Sequence, residues 1–233
     1  MDFTYLLVIL MFFAALIAQA RVKSTYSKFS QVASSRGITA EQAVRIVLEQ
    51  NGVSGVEIKP IAGDLTDNFN PKDNSINLSE PVYGHSSIAA IGVACHEAGH
   101  AVQYAKSYLP IKLRNSIVPI CNIGSRLGIP IAIIGVVLAS LEAYDLGMAL
   151  IYFGIALYGL VALFQFITLP VELDASHRAL AAIEEAGILT DDERQGAKSV
   201  LTAAAMTYVV ALATALVNLL RIIVIFTGGR RRN

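Results

Sequence analysis

The run Val93–Gln103, VACHEAGHAVQ, sets two histidines and a glutamate into an otherwise uncharged, apolar stretch. Polar groups among apolar neighbours cost free energy unless they find partners. His96 and His100 are four residues apart, so on a helix they share one face, one turn above each other. Both imidazoles can then reach one zinc ion, while Glu97 addresses the water on that ion. Zinc brings the pKa of such a water to about 7 and polarises a substrate carbonyl, and the glutamate carries the proton. The plain alternative is a pair of buried helical histidines with other partners. It leaves Glu97 stranded, because a buried carboxylate is costly unless a cation compensates it.

A catalytic zinc site takes three protein ligands. The pattern with a third histidine six residues after the second is excluded, since position 106 is Lys. Glutamate is then the donor to seek, and the parity of membrane crossings selects among candidates. Glu142 follows one apolar span after His100 and falls on the opposite side, whereas Glu172 follows two and returns. Pro170 is placed to start a helix, which would put Glu172 in a first turn where the helix dipole favours a carboxylate. The bland reading of Glu172 is that helix-start charge alone. Glu184 and Glu185 come about three turns later and are expected to face solvent. The expected set is His96, His100 and Glu172 around one zinc per chain, with Glu97 as general base.

Ser176, one turn after Glu172, could orient that carboxylate by a hydrogen bond. His177 or Arg178 could stabilise an oxyanion, which needs a donor close to the developing charge. A surface or ion-paired role is the simpler reading of each. His85 lies too far along the helix axis to share the metal and is expected to be structural. Cys95 and Cys121 sit in apolar surroundings and behave as small hydrophobes, not as a zinc or disulfide framework.

The elements that must position these residues belong to a membrane protein. The 233-residue chain is 55% hydrophobic and 15% charged, where a soluble domain carries about a quarter charged. Four runs, 3–18, 129–141, 146–169 and 201–220, are long and almost free of charge. A bilayer needs about 20 apolar residues in a helix; the first run is short, and the second needs the weaker residues from Ile117 onward. Asp2 precedes the first run and Arg21, Lys23, Lys28 and Arg36 follow it. That order predicts an uncleaved anchor with its C-terminal end, and the active site, on the cytoplasmic side. Three more spans would leave Arg230, Arg231 and Arg232 outside, against the same tendency. The net charge is zero, which offers nothing to nucleic acid.

Between the first two runs, Thr39 and Gln42 make a capping box for a short amphipathic helix that stops at Gly52. Val56–Lys59 and the alternating Ser75–Ser79 predict a small antiparallel sheet or hairpin. Ser86 or Ser87 caps the His–Glu helix, which runs to about Ser107. Leu109-Pro110 ends it. Thr190 and Glu193 cap the last helix. The strand Ser75–Ser79 offers an edge to which an extended substrate could add, and proline at Asn77 would test that.

VACHEAGHAVQ, LPVELDASHRA and GAKSVLTAAAMTYV together resemble the YugP-like neutral zinc metallopeptidases of bacterial membranes, and the likeness spans nearly the whole chain, including GITAEQAVRIVLEQNG and INLS. That family is distantly similar in plan to the HtpX and CAAX-prenyl membrane proteases, which carry a ligand glutamate followed by Ala-Asp at the third and fourth positions. The resemblance implies His96, His100 and Glu172 as ligands and Glu97 as base. Two departures stand out. Ser176 replaces the aspartate of that pattern, and Asp67-Asn68-Phe69 stands where members of the family often have Asp-His-Tyr.

The whole reading is a mainly α, polytopic membrane helical bundle with a zincin-like HExxH helix and a small antiparallel β element. Its expected parts are an anchor at 1–20, a small α+β part at 21–110, a transmembrane hairpin at 111–170, and a third-ligand and membrane helix at 171–233. The expected activity is zinc-dependent endopeptidase cleavage of peptide or protein substrates in the cell membrane, at the lipid bilayer and without nucleic acid. One rival is an intramembrane site-2-type protease with Asp145 as third ligand, to which YDLG is a poor match. The other is a non-catalytic membrane protein stabilised by zinc, in which Glu97 would have no use.

Overall fold

The computed structural model describes residues 3–141 and 143–228. Glu142, Asp2 and the arginines at 230, 231 and 232, on which part of the topology reading rests, lie outside them. The described elements run α1 (Phe3–Ser30), α2 (Ala40–Gln50), β1 (Glu57–Ile61), β2 (Asn68–Asn70), β3 (Ser75–Ser79), α3 (Ile88–Ala105), α4 (Leu109–Ser140), α5 (Tyr144–Glu185) and α6 (Asp191–Gly228). Helices α1, α4, α5 and α6 are each long and apolar enough to cross a membrane. The chain is a mainly helical, polytopic membrane protein with a small sheet.

The described residues form two compact units. One comprises Leu113–Leu169 with the two ends of the chain, and the other Ile17–Lys112 with Pro170–Thr207. In the first unit α4 and α5 run antiparallel over a seam of glycines. A Cβ on Gly135 would lie 2.6 Å from the Gly147 carbonyl oxygen, and one on Gly154 2.5 Å from that of Gly128. Within lipid, helices gain little from hydrophobic burial, so close backbone approach at small residues holds them together. Arg221 of α6 lies over the Tyr5 ring of α1, 4.9 Å from its centroid.

The second unit has an apolar core shared by five elements. Ala43, Val44 and Val47 from α2, Ile76 and Leu78 from β3, and Ile91, Ala94, Cys95 and Ala98 from α3 are buried together with Ala179 and Ile183 of α5 and Ala197 and Leu201 of α6. Each large aliphatic side chain buried this way contributes roughly 1.5–3 kcal/mol. Helix α3 packs into this core beside α2, β3, α5 and α6. Its start is fixed by Ser87, whose hydroxyl accepts from the Ala90 N–H at 3.2 Å, and it stops at Lys106. Thr39 N–H donates to Gln42 Oε1 at 3.0 Å, and Thr190 N–H to a Glu193 carboxylate oxygen at 2.9 Å.

Two expectations change. The sheet is mixed, in the order β1-β3-β2: β2 pairs antiparallel with β3, and β1 joins β3 in parallel. The segment after β1 carries the chain past the place β3 will occupy, so β3 enters between its neighbours and offers no free edge. Asn74, at φ 52°, closes the β2–β3 turn in a conformation that asparagine tolerates well. The second change is at Pro170, which lies inside a single 42-residue α5 and starts no new helix. Val171, Ala175 and Ala179 after it are buried. Flanking packing of this kind lets a helix continue past one lost N–H bond. Glu172 is therefore not in a first turn, and the dipole argument for it lapses.

Candidate metal centre

His96 and His100 project from α3 one turn apart, with ring centroids 4.7 Å apart and planes at 81°. Glu172 reaches them from α5. Its Oε2 lies 3.2 Å from His96 Nε2 and 3.5 Å from His100 Nε2. The three side chains expose 15%, 9% and 6% of their surface, so the group is shielded but not sealed. Among the described residues these three form the group able to hold a metal ion, with one ligand atom from each lying within 4.8 Å of the others. Two donors each 2.0–2.1 Å from a tetrahedral zinc stand about 3.3 Å apart. The His–Glu spacings bracket that value, and two imidazoles with one carboxylate make a zinc donor set. The group fits one zinc ion.

Three contacts hold the donors in place. Ser176 Oγ is 3.1 Å from His96 Nδ1, and the Gln103 side-chain oxygen is 3.0 Å from His100 Nδ1. In each ring the far nitrogen is thus engaged, leaving Nε2 toward the centre. The third is steric: a Cβ on Gly99 would lie 2.6 Å from the Ala175 carbonyl oxygen, so α3 meets α5 where no larger residue fits.

Glu97 is buried, and its Oε2 accepts from the Phe69 N–H of β2 at 2.8 Å. Burial pushes its carboxyl up to about 7; the negative charges of Glu172 and Asp67 act in the same direction, while His96 and the Phe69 N–H oppose them. Asp67 ties the segment before β2 to the end of β3, accepting from the Ser79 N–H at 2.7 Å and the Ser79 hydroxyl at 2.8 Å. Burial raises its pKa as well.

A family model described as "Putative neutral zinc metallopeptidase" matches residues 4–227. The chain belongs to this family. A relative in Bacillus subtilis (strain 168), "Putative membrane protease YugP", is 42% identical over 216 residues, which cover 93% of each of the two chains. No solved structure matches.

For this member of the zinc metallopeptidase family, the structure places the other candidates as follows. Ser176 pairs with His96 rather than with Glu172. His177 is exposed. Arg178 donates through Nε to Asp174 at 2.6 Å and stacks over Tyr108. Asp145 stands in the first turn of α5, outside the metal-competent group. His85 is exposed, and its carbonyl accepts from the Ala40 N–H at 2.8 Å. Cys95 is buried, its thiol pushed up to about 12 by burial. Sequence reasoning missed Gln103, Asp174, Gly99 and the Phe69 N–H. Gln103 did leave a signal: it is seven residues after His96 and three after His100, and so shares their face.

Proposed function

We propose that the chain is a membrane-integrated zinc endopeptidase in which His96, His100 and Glu172 hold the metal and Glu97 is the general base. The observation that carries this reading is the Glu172 carboxylate lying within 3.5 Å of both imidazole Nε2 atoms. When bound, zinc supplies a Lewis acid for the scissile carbonyl and makes the attacking water more acidic. Glu97 takes a proton from that water and delivers it to the amine nitrogen as the C–N bond breaks. Phe69 N–H holds Oε2, which leaves Oε1 to face the water.

The substrates are peptides or proteins in extended form. Because β3 is central, the free strand edge beside Glu97 belongs to β2, and a substrate strand pairs there through main-chain hydrogen bonds. The catalytic unit lies on the cytoplasmic side of the membrane, a reading supported by Arg21, Lys23, Lys28 and Arg36 after the first apolar run.

Two substitutions test the chemistry. Glu97→Gln retains stoichiometric zinc and loses cleavage of an unfolded protein such as casein. Glu172→Ala loses both. Cleavage by Glu97→Gln would remove the base, and normal zinc binding by Glu172→Ala would remove the third ligand.

A further inference from the structure

We infer that Gln103 is a positioning residue that fixes the tautomer of His100 and thereby aims its Nε2 lone pair at the metal. The inference rests on the ligand set proposed above. Gln103 is wholly buried, and an amide in such a place is costly unless every polar atom is paired. Its amide nitrogen makes two contacts, 2.8 Å to the Val171 carbonyl oxygen and 2.7 Å to Asp174 Oδ2. Both partners can only accept, so the NH2 group must face them. The amide oxygen is then the atom 3.0 Å from His100 Nδ1. An amide oxygen only accepts. His100 Nδ1 therefore carries hydrogen, and Nε2 is the nitrogen left to bind a cation.

The orientation usually left open by an amide's similar ends is decided here by the chain's own partners. Asp174 is fixed in turn: Arg178 Nε donates to the same Oδ2 at 2.6 Å, and the guanidinium lies 5.7 Å from the Tyr108 ring centroid. The run His100–Gln103–Asp174–Arg178 thus fastens the histidine helix to the glutamate helix, two residues beyond Glu172. Arg178, offered by its position as an oxyanion donor, is engaged in this brace. Ser176 does for His96 what Gln103 does for His100, but a hydroxyl can donate or accept. Only the Gln103 side of the pair is fixed by its partners.

The test uses the full chain in detergent, zinc affinity by competition with a chelator, and 15N spectra of histidine-labelled protein. Wild type binds one zinc, with His96 and His100 both protonated at Nδ1 and coordinated through Nε2. Gln103→Leu removes the acceptor and loses roughly 10–100-fold in zinc affinity, the range for partners of ligating histidines. Gln103→Glu keeps an acceptor for His100 but faces Asp174 with a second carboxylate, and it also binds zinc weakly. Adding Asp174→Asn to Gln103→Glu restores the donor–acceptor match at position 174, though not at the Val171 carbonyl, and recovers part of the lost affinity. A residue that only filled space would show no such rescue. Wild-type zinc affinity in Gln103→Leu, or a double variant no better than Gln103→Glu, overturns the inference and leaves the metal site standing. Wild type without zinc overturns the site itself.

Discussion

Gly99 and the Ala175 carbonyl face each other with no room for a methyl group: a Cβ on Gly99 would stand 2.6 Å from that oxygen. The contact lies between His96 and His100 on one helix and just beyond Glu172 on the other. Gly99→Ala must therefore push α3 and α5 apart at the place where their donors converge. Overpacking of this kind costs about 1–3 kcal/mol. The expected outcome is a lower melting temperature and at least about tenfold weaker zinc binding, because zinc–ligand lengths tolerate only tenths of an ångström. Unchanged zinc affinity would mean that the two helices are not fastened there.

The free edge of β2 gives a second expectation. Its Phe69 N–H points to Glu97, away from the β3 ladder, so proline at 69 leaves that ladder intact. It removes one main-chain donor, about 0.5–1.5 kcal/mol. Phe69→Pro is expected to lower kcat, because Glu97 loses the donor that holds its Oε2, and to raise KM as the proline ring crowds this edge. It is also expected to lower the melting temperature modestly, because Phe69 packs against the core. Asn77→Pro, placed in the central strand between two partners, is expected instead to lower the melting temperature sharply. If Asn77→Pro folds normally and alone raises KM, the edge has been assigned to the wrong strand.

The cytoplasmic placement can be read chemically. Cys95 and Cys121 are both buried, which keeps background labelling low, and Lys72 is exposed in the β2–β3 turn. A Lys72→Cys protein is expected to react with a membrane-impermeant maleimide in inverted vesicles and to be protected in intact cells. Labelling in intact cells would place the catalytic unit outside.

What could be read in the sequence, and what could not, divides by the range of the interaction. Four charge-free runs gave four long helices, because a bilayer imposes one length and one polarity on any helix that crosses it. The His96–His100 pairing followed from helical period alone. The convergence of Glu172 needed only a returning hairpin, although Pro170 misled about where its helix begins. The β element was visible as alternation, but its order was not. Short strands carry no signal for which neighbour lies between the others, so β3 looked like an edge when it is the centre. Gln103 showed only that it shares the histidines' face, and the roles of Gln103 and Gly99 stayed hidden for the same reason. One matters through Asp174 and Val171, the other through Ala175, and each of those partners lies more than sixty residues away in the chain.

Metal linkage supplies the last expectation. A ligand that binds only the folded state stabilises it by RT ln(1 + [L]/Kd), about 2.7 kcal/mol at a hundredfold excess over Kd. The three donors come from α3 and α5, so a zinc ion held by them would cross-link two helices of one core, and its removal should loosen both. Chelator treatment of wild type is expected to lower the melting temperature, and added zinc to restore it. Glu172→Ala should melt at one temperature whether zinc is present or absent, since the two histidines on a single helix cannot reproduce the link. Glu97→Gln, which keeps all three donors, should respond to zinc as wild type does. A zinc response that survives in Glu172→Ala would place the stabilising ion elsewhere.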